Sequence, residues 1–271
     1  MSNKTTQQTT EKLLGLIRNG GNGQANRLFR IVANPNPDPD SQDTGGRNDR
    51  YCDVLPYDQV MTRAKAQLDP IWSNILLSQG TAPHSVLLTS ASKGEGVSYV
   101  SERLCLYLNK IYGHKVLYVN IADQMAVPEA PAAPATEEIA ACLTSGEGLD
   151  NLVLASNVPG LYVLSLNITE GQHALPWLQP ELNAMEKLLA YAREHFDIVV
   201  FDAQSVLMAP WTATMAKPVD LTLLVCRFAV TRRELLNTLL DAFKSADVIP
   251  RGVILNARRY SVPQALYALL K

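Results

Sequence analysis

Residues 90–100 read SASKGEGVSYV, directly after the apolar run Val86-Leu87-Leu88-Thr89 and directly before a helix-like stretch. Phosphate-binding loops of the pattern G-x-x-x-x-G-K-[ST] wrap backbone N–H groups around an anion. Their lysine reaches the phosphates, and the hydroxyl reaches magnesium. The last three positions here are Gly96, Val97 and Ser98. Gly94 and Gly96 allow close backbone approach to an anion, and a helix opening near Val97 and Ser98 offers free N–H groups and a positive dipole end. Ser98 is a candidate magnesium ligand. Glu95 lies between the two glycines, and a valine stands where the lysine should be. Lys93, in the same loop, is a candidate substitute, because a lysine stem carries its charge over several ångströms; a plainly solvated lysine is the simpler reading. The glycines on their own also suit any tight strand-to-helix turn.

Other candidates stand where apolar runs end. Asn120 and Asp123 follow Lys115–Asn120, Asp202 closes Phe196–Phe201, and Asn256 closes Gly252–Leu255, with Arg258 and Arg259 just beyond. An aspartate at the end of a buried strand, beside such a loop, is placed to hold magnesium through water. Asp202 is therefore a candidate catalytic and metal residue, although capping or surface polarity would also explain it. The basic pairs in TRREL (231–235) and ARR (257–259) read as solvated or ion-paired rather than as a nucleic-acid surface.

The elements that must position these residues alternate. Apolar runs at 85–90, 115–121, 160–166, 196–202, 220–226 and 251–256 have no period-two polarity, so they read as strands buried on both faces. Helical patterns fall between them, at 97–112, 136–146, 180–195 and 231–246, with a last one at 262–271. Residues 55–80 read as helix, interrupted or restarted near Pro70. This alternation predicts an α/β protein with a mostly parallel sheet and helices on both faces, a three-layer sandwich whose ligands gather at the carboxyl ends of the strands. Residues 51–271 form that domain. Residues 1–50 differ. A short helix is expected over 10–20, a candidate docking element, followed by a Pro/Asp/Gly-rich linker. The Pro/Ala stretch 125–136 reads as a loop.

The 271 residues suffice for one large α/β domain or two small ones. At 47% hydrophobic and 18% charged they suit an ordinary globular protein. A formal net charge of -2 gives no global basic field for nucleic acid. No apolar run approaches the ~18 residues of a membrane span, and the first residues lack a secretory h-region, so a cytoplasmic location is expected. Cys52, Cys105, Cys142 and Cys226 show no C-x-x-C spacing, which argues for reduced thiols rather than a disulfide framework or zinc site.

The order of motifs from 84 to 260 resembles the bacterial tyrosine kinase (BY-kinase) domain, a relative of the MinD/ParA P-loop ATPases. TSASKGEGVS (89–98) resembles its P-loop, KVLYVNIAD (115–123) the following strand, and LTSGEGLDNLVLASNVPGLYVLSL (143–166) its central segment. HFDIVVFDAQSV (195–206) resembles the Walker B strand, and 220–256 resembles the unit that closes the sheet. The resemblance implies a P-loop NTPase fold and a nucleotide site at Lys93, Gly94, Glu95, Gly96, Val97 and Ser98. Asn256 and Arg258 would lie near the adenine, and Ser98 and Asp202 at magnesium. ATP or ADP with Mg²⁺ is the cofactor implied.

The departures fall on the chemistry. The P-loop lysine aligns with Val97, and the family's Asp-x-Asp with Asn120 and Ala122. The Thr-Pro-Pro after the Walker B aspartate is Ala203, Gln204 and Ser205. Residues 51–80 hold no glutamate for the family's Glu-x-x-Arg-x-x-Arg oligomerisation motif, so a homo-oligomer is left open. Near the C-terminus only Tyr260 and Tyr267 stand in place of a tyrosine cluster. Loss of one charge-stabilising donor costs about 10²- to 10³-fold in rate. The resemblance therefore implies first a pseudokinase-like subunit of an exopolysaccharide or capsule system. Such a subunit would bind the cytoplasmic tail of a Wzz-like co-polymerase, or another export component, at the inner membrane, with no nucleic-acid partner. A divergent ATPase or tyrosine autokinase using Lys93, Ser98 and Asp202 is the second reading, and a MinD/ParA-like positioning ATPase the third.

Overall fold

The computed structural model describes residues 15–17, 57–121, 136–166 and 183–257. In chain order these form β1 (Gly15–Ile17), α1 (Tyr57–Gln79), β2 (Ser85–Ser90), α2 (Val97–Tyr112), β3 (Val116–Asn120), α3 (Thr136–Ser145), α4 (Leu149–Leu152), β4 (Val153–Ala155), β5 (Leu161–Ser165), α5 (Ala184–His195), β6 (Ile198–Asp202), α6 (Trp211–Met215), β7 (Leu221–Arg227), α7 (Arg233–Ser245) and β8 (Gly252–Asn256).

The strands form one sheet in the order β1-β8-β7-β2-β6-β3-β5-β4. All neighbours are parallel except β4 and β5. β2, β3 and β6 are buried at every residue, which is why their sequences are continuously apolar rather than alternating. One core layer packs Leu87, Leu117, Phe201 and Leu224 against α5 and α7 through Leu188, Leu189, Leu239 and Phe243. The other packs Val86, Leu88, Tyr118 and Val200 against α1 and α2 through Trp72, Leu104 and Tyr107. The three-layer α/β sandwich expected from the sequence is the architecture observed.

Three expectations change. Gly15–Ile17, within the expected short helix, is a strand paired with Ile254–Asn256. The exposed edge of β8 offers unpaired backbone groups, and pairing there satisfies them. Three of the first fifty residues thus join the sheet. α1 runs through Pro70 without a break. The proline removes one backbone hydrogen bond, but Leu68, Ile71, Trp72 and Ile75 are buried along the same face, and that packing outweighs the loss. Finally, the short α4, β4 and α6 were not legible, and β4 makes the one antiparallel edge. Asp123, Arg258, Arg259, Cys52, the 125–135 loop, the 34–50 linker, Tyr260, Tyr267 and the closing helix lie outside the described residues.

The connections place the site. β2 and β6 are adjacent, yet β2 leads over to β3 on one side while β6 leads to β7 on the other. Loops departing in opposite directions open a crevice at the carboxyl ends of the strands. Register brings Leu88, Asp202, Asn120 and Ser165 side by side across β2, β6, β3 and β5.

Candidate functional site: a self-latched phosphate-loop turn

The loop between β2 and α2 turns through two left-handed glycines, Gly94 (φ 86°) and Gly96 (φ 94°). Gly96 is also the N-cap of α2 and supplies no side-chain cap. A Cβ at Gly96 would overlap the Asn256 side-chain amide. Glycine is required there by both dihedral and space.

Glu95 is buried, and its carboxylate turns back into its own loop. Oε2 accepts from the N–H groups of Ala91 (3.1 Å) and Ser92 (3.4 Å), and Oε1 accepts the Thr231 hydroxyl at 2.6 Å. Its backbone carbonyl accepts from Asn256 Nδ2 at 2.9 Å. One residue thus ties the loop to the β7–α7 turn and to the end of β8. A carboxylate holding three donors is a charge-assisted network worth more than neutral bonds. Arg227, the last residue of β7, donates from Nη1 to the Gly94 carbonyl at 3.4 Å. The Cys226 thiol, next along β7, is pushed up to about 12 by burial, with the Glu95 charge adding to it.

Val97 is 8% exposed and belongs to the apolar core that includes Leu88, Val100, Leu104 and Ile254. The position where a phosphate-binding loop carries its lysine is part of the packed interior. Ser98 is half-buried in the first turn of α2, and Lys93 and Gly94 are exposed on the loop. Asn256, 1% exposed, is committed on both sides of its amide, because its Oδ1 accepts from the Ala257 N–H at 2.8 Å.

Asp202 is fully buried at the end of β6 and accepts a 2.6 Å hydrogen bond from the Tyr118 hydroxyl on β3. Burial first, then the charges of Asp202 and Glu102, holds the Tyr118 phenol well above its ordinary value, so it remains the donor. Burial and the same two carboxylates likewise raise the Cys105 thiol. Asn120, buried in register with Asp202, brings no carboxylate. The β6–α6 loop is drawn over the end of β2, with Thr89 donating to the Gln204 carbonyl (2.6 Å) and the Val206 N–H to the Ser90 carbonyl (3.0 Å).

The fold therefore brings Gly94, Glu95, Gly96, Val97, Ser98 and Asn256 together, with Asp202 two strands from Asn256's neighbour β7. Sequence reasoning missed Tyr118, Thr231, Arg227 and Glu102. The first three become visible only when strand order is known; Glu102 gave a signal, being a charged residue on the apolar face of α2. These donors match a magnesium nucleotide poorly. The lysine position is apolar, and the candidate metal carboxylate is bonded by a phenol. Among the described residues, no group of three or more His, Cys, Asp or Glu is placed to hold a metal.

No family model matches the chain, and no curated protein matches it. Solved structures do. The kinase domain of the Escherichia coli tyrosine kinase ETK is 19% identical with a TM-score of 0.60, covering 74% of this chain and 78% of that one. The VpsO kinase domain is 23% identical at a TM-score of 0.57, covering 74% and 97%. Cobyrinic acid a,c-diamide synthase from Mycobacterium smegmatis, solved with an ATP analog and magnesium, is 14% identical at a TM-score of 0.50, covering 70% and 81%. The chain has the P-loop NTPase α/β fold. Its architecture is similar to that of these tyrosine kinase domains. Among the described residues no helix is long and apolar enough to cross a membrane.

Proposed function

We propose that this chain is a catalytically degenerate, BY-kinase-like subunit that works by binding rather than by phosphoryl transfer. Its partner would be the cytoplasmic tail of a Wzz-like co-polymerase, or another component of an exopolysaccharide or capsule export system, at the inner membrane. The observation that carries the reading is Val97, packed into the core at the lysine position of the loop. Phosphoryl transfer depends almost wholly on positioned charge, and an apolar side chain there supplies none. The Tyr118 bond to Asp202 points the same way. The choice of partner rests on the order of motifs along 84–260 and on the likeness of fold to tyrosine kinase domains.

Calorimetric titration of the full chain with ATP and with ADP, each with Mg²⁺, tests it. The expected result is no measurable heat and no thermal stabilisation at millimolar nucleotide. A dissociation constant below roughly 100 μM, about -5.5 kcal/mol, would overturn it. That outcome would favour the second reading, a divergent ATPase or autokinase using Lys93, Ser98 and Asp202, for which the positive φ of Gly94 and Gly96 and the strand-end position of Asp202 are the supporting features. Nucleotide binding abolished by Asp202→Ala would then assign the metal role to that carboxylate.

A further inference from the structure

The turn between β7 and α7 is exposed, and its composition is unusual for a turn. Residues 227–230 are all exposed, including Phe228 at 36% and Val230 at 59%. Ala229 sits at φ 58°, a strained value for a residue with a Cβ. Five hydrogen bonds hold this geometry. The Arg227 N–H donates to Thr231 Oγ1, the Val230 and Thr231 N–H groups donate to the Arg227 carbonyl, the Phe228 N–H donates to the Asn256 carbonyl, and Thr231 Oγ1–H donates to Glu95. The two apolar side chains are therefore displayed on a braced support. Residues 203–210, on the β6–α6 loop, carry no charge, and Met208 there is 64% exposed.

The charges around this tip are one-sided. Arg227, Arg232 and Arg233 are exposed, against exposed Glu234 and the buried Glu95 that Thr231 bonds, in a chain whose net charge is -2. Arg232 is the N-cap of α7 and makes no side-chain cap bond, and Arg233 opens the helix. Cations are disfavoured at a helix N-terminus, where Ser, Thr, Asp or Asn would stabilise. Stability does not explain two arginines there; an external anion does. A turn that exposes Phe228 and Val230 and is flanked by three arginines suits insertion at the headgroup boundary, with the guanidinium groups at the phosphates.

We propose that the β7–α7 turn, with Phe228 and Val230 at its tip and Arg227, Arg232 and Arg233 around it, is a direct docking surface for an anionic membrane. It is independent of the nucleotide question and of any membrane-protein partner.

Sedimentation of the purified chain with lipid vesicles tests this. Binding is expected to vesicles containing phosphatidylglycerol and not to phosphatidylcholine alone, and to weaken at least about tenfold when salt rises from about 0.1 to 0.5 M. Phe228→Ser with Val230→Ser, and separately Arg232→Gln with Arg233→Gln, should each weaken it about tenfold or more, with melting temperatures close to the unmodified chain. No vesicle binding, equal binding to both lipids, or either double variant binding like the unmodified chain would overturn the proposal. Binding to polyglutamate but not to vesicles would also overturn it and assign the turn to an acidic protein.

Discussion

Asn256, the last residue of β8, packs its side-chain amide into the space that a Cβ on Gly96 would need, and hydrogen-bonds the carbonyl of Glu95 beside it. The end of an edge-side strand thus fixes the turn of the phosphate loop. Gly96→Ala adds both the overlap and a strained φ of 94°. A loss of about 2–4 kcal/mol is expected, read as a melting temperature several degrees lower. Asn256→Ala in the same chain should recover the part due to overlap and not the part due to φ.

The Glu95 staple predicts coupling between two loops far apart in sequence. Glu95→Gln and Thr231→Val should each destabilise the chain and lower amide-exchange protection at residues 91, 92 and 227–231. Together they should cost less than the sum by about 1–2 kcal/mol, since Thr231→Val removes the 2.6 Å bond whose charge Glu95→Gln takes away. Strict additivity in a urea-unfolding cycle would show that the staple contributes nothing as a unit.

Tyr118→Phe removes the phenol bonded to Asp202 at 2.6 Å and leaves a buried carboxylate short of a donor. The expected cost is about 3 kcal/mol. Adding Asp202→Asn should return part of it, because a neutral amide is cheaper to bury than an ion. If Tyr118→Phe melts with the unmodified protein, the pair is not a structural bond.

Alkaline pH should unfold the protein progressively. The Cys226 thiol titrates near 12 in the fold against about 9 in the unfolded chain, chiefly through burial. Cys105, Tyr118, Tyr107 and Tyr191 are raised in the same direction. A folded value above the unfolded one means the native state keeps its proton longer. That stability is complete below about pH 9 and is lost as pH climbs toward 12. Urea midpoints from pH 8 to pH 11 should fall, and Cys226→Ala should flatten the early part of the fall.

Much of the frame was legible in the sequence. The continuous apolar runs 85–90, 116–120 and 198–202 could only be strands buried on both faces, and the helical stretches between them required parallel crossovers. Glycine at 94 and 96 announced a tight strand-to-helix turn, and valine at 97 announced an apolar lysine position. These are local properties, set by side-chain period and by φ, so one chain segment suffices to read them. The partners were not local. Glu95 meets Thr231, Asn256 meets Glu95, and Tyr118 meets Asp202 across 84 to 161 residues. Each meeting depends on strand order and register, which nothing in a single segment specifies. Nor did propensity settle Gly15–Ile17 or Pro70. An open sheet edge drew the first into a strand, and a buried face of Leu68, Ile71, Trp72 and Ile75 carried the helix through the second. The sequence by itself determined the buried parallel strands, the long helices between them and the glycine turn; the tertiary structure alone decided that the turn's own glutamate is tied to Thr231 and Asn256, because burial and long-range hydrogen bonding choose a side chain's partners only after the sheet has assembled.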